Sequence, residues 1–358
     1  MLRHRRLSLL LASLSAVACS ETATSPGTPD LAVFQGAPSS ARLSVTDLGV
    51  LSGYDSSAAN AINDKGVIVG VNRVPGAQHA TMWAGGAVSD LGVLPTGTYS
   101  IAYALNSSSV VVGIADTGGF PRRGFRWAPG TGMVSLSPLN GGSISMGLAI
   151  NDAGVVVGAS DSSDFYNHAV RWDGLGVSSL PLIAGSNGSS GAQGINSAGV
   201  IVGTGTDAFG FIRAVEWPVS GPPVLLASAG FTYAYAVAIN DAGEVVGFGY
   251  DGFANRPLYW ANASAPATIL ATPAGSFGAA AGINRSGNIV GWIAGPVSLQ
   301  GVYWRNASSA EQDLGWLPTH LFSMANGINR HSDIVGFSAG GPPTRSGRAT
   351  CWSFRNGC

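Results

Sequence analysis

The chain has 358 residues, a formal net charge of -1, only 10% charged residues against roughly 25% in ordinary soluble domains, and 52 glycines. This balance offers no basic patch for nucleic acid, and it excludes a long helical protein, because each helical glycine costs about 1 kcal/mol. With 46% apolar residues the chain can still bury a large core, so it reads as a glycine-rich, turn-rich β protein.

The first segment reads as an address. Arg3, His4, Arg5 and Arg6 precede an apolar run at residues 7–18 that ends in Ala16-Val17-Ala18. This is the pattern of a cleavable signal peptide, too short to span a bilayer once mature. Its loss would take the net charge to about -4, since three of the removed residues are basic. Ala16-Val17-Ala18-Cys19 resembles a bacterial lipobox, which implies lipidation of Cys19. The alternative is plain secretion, with Cys19 left as a thiol. Residues 19–41, rich in Ser, Thr, Pro, Ala and Gly, read as a flexible tether. No later segment has the composition of a membrane-spanning helix, so membrane contact is expected only through the lipid anchor.

The folded body is expected at residues 42–358, and internal repeats set its architecture. An asparagine recurs at Asn63, Asn106, Asn151, Asn196, Asn240, Asn284 and Asn329, at spacings of 43 to 45 residues. A glycine stands seven residues after each: Gly70, Gly113, Gly158, Gly203, Gly247, Gly291 and Gly336. A tryptophan follows at Trp83, Trp127, Trp172, Trp217, Trp260, Trp304 and Trp352. Each unit reads as four short strands, A to D; in unit two these are residues 99–106, 110–114, 124–128 and 133–136. The A–B turn has the form Asn-x-x-Gly in five units, while Ser109 and Ser332 replace the glycine in units two and seven. Two and four residues before each asparagine stands Ala or Gly, which suits strands crowded together at the centre of a ring. The strand B glycine is expected to let the strand C tryptophan lie across it.

The predicted fold is therefore an all-β, seven-bladed β-propeller of four-stranded blades. The last unit lacks strand D, and a spare D-like strand at residues 43–51 precedes the first strand A. Pairing the two closes the ring and leaves no open sheet edge.

The segments DLGVL, AINDKGVIVG and HATMW of unit one resemble the HAF repeat, a bacterial repeat assigned to extracellular proteins. DLGVLPTG in unit two, with AINDAGVVVG and HAVRW in unit three, repeats the match. The resemblance runs over residues 43–352 and implies an extracytoplasmic propeller. It brings no catalytic residues.

The candidate site lies on the rim formed by the D–A and B–C loops. Asp116, Asp161, Asp207 and Asp251 follow strand B of units two to five, and Asp164 adds a fifth carboxylate. Tyr99, Tyr233, Phe277 and Phe322 stand seven residues before their asparagines, at the D–A loop end. Carboxylates and aromatic faces on one rim suit a glycan, a cell-wall polymer, a protein surface or a calcium ion. The competing reading is that aspartate is simply a good turn residue. His79 and His168, four residues before their tryptophans, align with Arg123, Arg213, Arg256, Gln300 and Arg348 and read as structural donors to loop carbonyls. Cys351 and Cys358 are candidates for a disulfide or for two free thiols. No HExxH or CxxC pattern is present. The expected protein is a monomeric, exported binding or scaffold module with no cofactor and no metal centre other than the calcium option. A propeller-type glycan hydrolase or lyase using the rim aspartates is the second reading, and a structural envelope protein the third.

Overall fold

The computed structural model describes residues 43–174, 176–186, 188–295, 298–340 and 346–355. The signal segment 1–18, the tether 19–41 with Cys19, and Cys358 lie outside them. Among the described residues 28 strands form seven four-stranded antiparallel sheets, with no helix long and apolar enough to cross a membrane.

Blade one shows the plan: strands A to D are Ser56–Ile62, Ile68–Val74, Ala77–Ala84 and Ala87–Asp90. Blade two repeats it with Ser100–Leu105, Val111–Asp116, Arg122–Ala128 and Gly132–Leu136, within two residues of the expected bounds. Strand D shrinks to the two residues Val224–Leu225 in blade four. The N-terminal strand is Ser44–Asp47, shorter than expected. It pairs antiparallel with Gly347–Ser353, strand C of blade seven, in the register Val45 to Trp352 and Thr46 to Cys351. This closes the ring by joining the two ends of the chain.

The core lies between blades. Each of the seven seams holds its own apolar cluster, such as Leu91 and Leu94 of blade one against Val111 and Phe125 of blade two. At the closing seam Trp83 and Ile68 of blade one pack with Val335 and Ala349 of blade seven. Neighbouring A strands meet around the axis, and there the small residues have a clear purpose. A Cβ on Gly327 would lie 3.2 Å from the Ala61 Cα of the next blade.

The strand B glycines serve a different contact from the one expected. Every strand A carries a β-bulge, as between Ala59 and Ala61 or Ala236 and Ala238. The bulge drives a strand A carbonyl over the glycine: Ala58 O over Gly70, Ile101 O over Gly113, Tyr235 O over Gly247, and likewise in all seven blades. Any Cβ there would collide with backbone. The strand C tryptophan pairs two residues away, Trp83 opposite Ile68. In blades three to six its indole instead crosses to the preceding blade: Trp172 Nε1 donates to Ser137 O at 2.8 Å and Trp260 Nε1 to Ala227 O at 2.7 Å.

The recurrent asparagines form a closed ring of hydrogen bonds. Each Nδ2 donates to the main-chain carbonyl of the next blade's asparagine, at 3.0 to 3.3 Å, through all seven blades. The same side chain accepts from its own turn: Asn63 Oδ1 takes the amides of Lys65 and Val67, each at 3.0 Å. In units two and seven Ser109 and Ser332 adopt φ 58° and 65°, the left-handed conformation that glycine supplies elsewhere.

Candidate functional site

The D–A and B–C loops share one rim, opposite the asparagine ring, as strand direction requires. The structure places every rim residue expected from the sequence there, but it commits the carboxylates to the loops themselves. Asp116 Oδ1 accepts the amides of Thr98 and Tyr99 at 2.7 and 2.9 Å, and its Oδ2 lies 3.2 Å from Thr98 Oγ1. Asp161 repeats the arrangement on Ser143 and Ile144, each amide at 2.7 Å. Both aspartates therefore fasten the D–A loop of their own blade.

Asp207 and Asp251 fasten the B–C loop instead. Asp207 Oδ1 accepts from Phe209 N and Phe211 N at 2.9 Å, and Oδ2 takes Arg213 Nε at 2.8 Å. Desolvation pushes its pKa up, but the Phe211 amide, Arg213 and the Phe209 amide outweigh it, and the net direction is down. Asp251 accepts from Ala254 N at 2.9 Å and Phe253 N at 2.8 Å, which hold its carboxyl below the ordinary value. Asp164 pairs with Ser162 Oγ at 2.7 Å, Tyr166 N at 3.0 Å and His168 Nε2 at 2.9 Å. The Ser162 hydroxyl is the largest cause lowering its pKa to about 2. Among the described residues no three His, Cys, Asp or Glu side chains converge to hold a metal ion.

The expected aromatics stand at the start of strand A, and Phe277 and Phe322 pack within their own blades while Tyr233 also reaches the preceding one. Phe277 meets Trp292 edge-on at 6.3 Å, and Phe322 meets Phe337 likewise at 6.4 Å. Tyr233 lies between Tyr250 at 6.0 Å and Phe211 at 5.9 Å. Deeper, Tyr235 stacks on Phe248 at 4.4 Å, and burial with the neighbouring phenols raises its pKa to about 12. The Arg122 guanidinium lies 4.5 Å above the Tyr99 ring.

The feature missed in the sequence is a row of exposed rings. Phe120, Phe165, Phe209 and Phe253 are 74%, 89%, 85% and 96% exposed, one on each B–C loop of blades two to five. Each stands 13 or 14 residues after its blade's asparagine. The aspartates that the sequence singled out hold two of these loops directly: the amides of Phe209 and Phe253 are the ones they accept. The alignment to the asparagines carried this signal, but it was masked by the one-residue difference in loop length.

The donors four residues before the tryptophans reach the loops as expected in two blades. Arg213 Nη1 donates to Thr232 O at 3.3 Å, and Arg256 Nη1 donates to Ser276 O. His79 and His168 pair with carboxylates, Asp90 at 2.7 Å and Asp164 at 2.9 Å. Cys351 is buried and takes part in a disulfide.

No family model matches the chain, and neither does any curated protein. Solved structures do. YCF48, solved bound to D1 peptide, is 10% identical over 88% of this chain and 98% of that chain, with a TM-score of 0.54. The β-propeller domain of the Trilobed protease from Pyrococcus furiosus is 11% identical over 83% and 95%, with a TM-score of 0.49. Streptogramin B lyase is 11% identical over 88% and 98%, with a TM-score of 0.48. The likeness is one of fold, the β-propeller.

Proposed function

We propose that this chain is an exported, non-catalytic binding module of the HAF-repeat type, tethered through Cys19, whose B–C rim grips a polysaccharide of the cell envelope. The observation that carries the reading is the row of four exposed phenylalanines at matching positions on consecutive blades. Loop tips that serve only to turn the chain favour Gly, Asn, Asp and Ser. A phenyl ring left in water forgoes about 2 kcal/mol of burial, so four aligned rings suit a partner that covers them. Flat exposed rings offer stacking surfaces to the apolar faces of sugars.

The test is an array of pectin, alginate, peptidoglycan and dextran probed with the full chain and with a Phe209→Ser/Phe253→Ser variant. Binding to at least one polymer, weakened at least about tenfold in a variant of unchanged Tm, supports the reading. Equal binding by both proteins, or none by the parent, overturns it.

A further inference from the structure

At one end of the phenylalanine row, two arginines stand without a carboxylate partner. Arg73 ends strand B of blade one, and its Nε donates to the neutral Gln78 Oε1 at 3.3 Å. Gln78 in turn bridges to Tyr99 across the seam into blade two. There the Arg122 guanidinium sits between two rings, 4.5 Å from Tyr99 and 5.5 Å from Phe120. Tyr103, at the bulge of strand A, lies below. Burial raises both phenol pKa values, and both guanidinium groups act on both phenols to lower them, which puts the four groups in one electrostatic neighbourhood.

Neither arginine belongs to any ion pair among the described residues. The carboxylate opposite Arg122 in register is Asp116, and its oxygens are spent on Thr98 and Tyr99. Blade four shows the contrast, because Asp207 both caps its loop and neutralises Arg213. No carboxylate among the described residues pairs with either guanidinium. Burial lowers the Arg73 pKa, and the Tyr99 and Tyr103 phenols act to raise it.

We infer that Arg73 and Arg122, with Tyr99 and Tyr103, form a subsite for the carboxylate of a uronic acid, so that the saccharide gripped by the rim is an acidic one. The inference rests on the saccharide reading above and names its class. Guanidinium forks match carboxylate geometry, the phenol hydroxyls suit sugar hydroxyls, and the Phe120 ring offers the next sugar a stacking face.

The test is calorimetric titration of the full chain with a galacturonate tetramer and with a neutral galactose tetramer. Arg73→Gln and Arg122→Gln, each checked for unchanged Tm, are titrated beside Phe209→Ser/Phe253→Ser. The expected result is tighter binding of the acidic tetramer, weakened by salt and lowered roughly tenfold by either arginine change. The phenylalanine variant should weaken both tetramers. Equal binding of the two tetramers, untouched by the arginine changes, overturns the carboxylate subsite and leaves the saccharide rim standing. No binding of either tetramer by the parent chain overturns the subsite, whatever the polymer array shows. If the array also shows none, the saccharide reading falls with it.

Discussion

The side-chain amide of Asn329 donates to the main-chain carbonyl of Asn63 at 3.3 Å, across 266 residues of sequence. That bond is the seventh in a ring, and it joins the last blade to the first. Asn329 Oδ1 also accepts the amides of His331 and Asp333, so one side chain holds a turn and a seam together. Asn329→Ala removes both and leaves the Asn63 carbonyl with the Gly66 amide alone, an expected loss of about 2 kcal/mol in denaturant unfolding. Asn151→Ala should cost about as much, because its links to Asn196 and Val155 are equivalent. A loss at Asn329 much smaller than at Asn151 would show that the closing seam is already loose.

Closure has a second component in the strand Ser44–Asp47. Val45 packs with Trp352 and Leu314, and without it strand C of blade seven becomes an open edge. A chain that begins at Gly49 should lose thermal stability and self-associate through that edge, read by light scattering. A truncated chain that stays monomeric with an unchanged Tm would refute the closure's role.

Gly247 tests the bulge. A Cβ at this position meets the Tyr235 carbonyl, which is backbone and cannot turn aside, whereas a Cβ at Gly295 meets nothing within 4 Å. Gly247→Ala should cost about 3 kcal/mol and Gly295→Ala close to nothing, in parallel thermal melts.

These residues also show what was readable in advance. The asparagine, glycine and tryptophan series announced seven blades because each repeated unit needs the same turn, bulge and seam. The purpose of the glycine was not readable. It depends on a bulge in the neighbouring strand, which alternation of side chains does not reveal. The seam serines escaped notice as well: Ser57, Ser100, Ser145, Ser190 and Ser323 each accept an amide from the preceding blade, from Ala349, Ala80, Gly124, Ala169 and Gly301. Serine is too common in this chain for five of seven positions to stand out. On the rim the aspartates attracted attention because their chemistry is versatile. The neighbouring phenylalanines did not, because a ring in a sequence is normally a core residue and only exposure distinguishes it.

The Asp164 carboxyl provides a check by pH. Its pKa is depressed to about 2, first by the Ser162 hydroxyl and then by the Tyr166 amide and His168. A depressed carboxylate contributes stability above its ordinary value of 3.8, and that contribution is lost as pH falls toward 2. The group is half exposed, so solvent keeps the energetic effect small and the titration itself is the better readout. Carboxyl NMR should give a midpoint near 2, moved upward in Ser162→Ala. A midpoint near 3.8 in the parent would refute the hydrogen bonds.

Asp251 separates two roles for the rim aspartates. If a ligand contacts the carboxylate, loss of its charge should abolish binding. In the structure Asp251 Oδ1 instead holds the amides of Phe253 and Ala254, so the side chain acts by keeping the most exposed ring on the rim in place. Asn retains that acceptor and Ala does not. Asp251→Ala should therefore weaken polymer binding about as much as Phe253→Ala, while Asp251→Asn should bind like the parent chain. Binding lost equally in Asp251→Asn and Asp251→Ala would return the carboxylate to the ligand and remove it from the loop. Because the alanine change alone disturbs both roles, only the asparagine variant tells them apart.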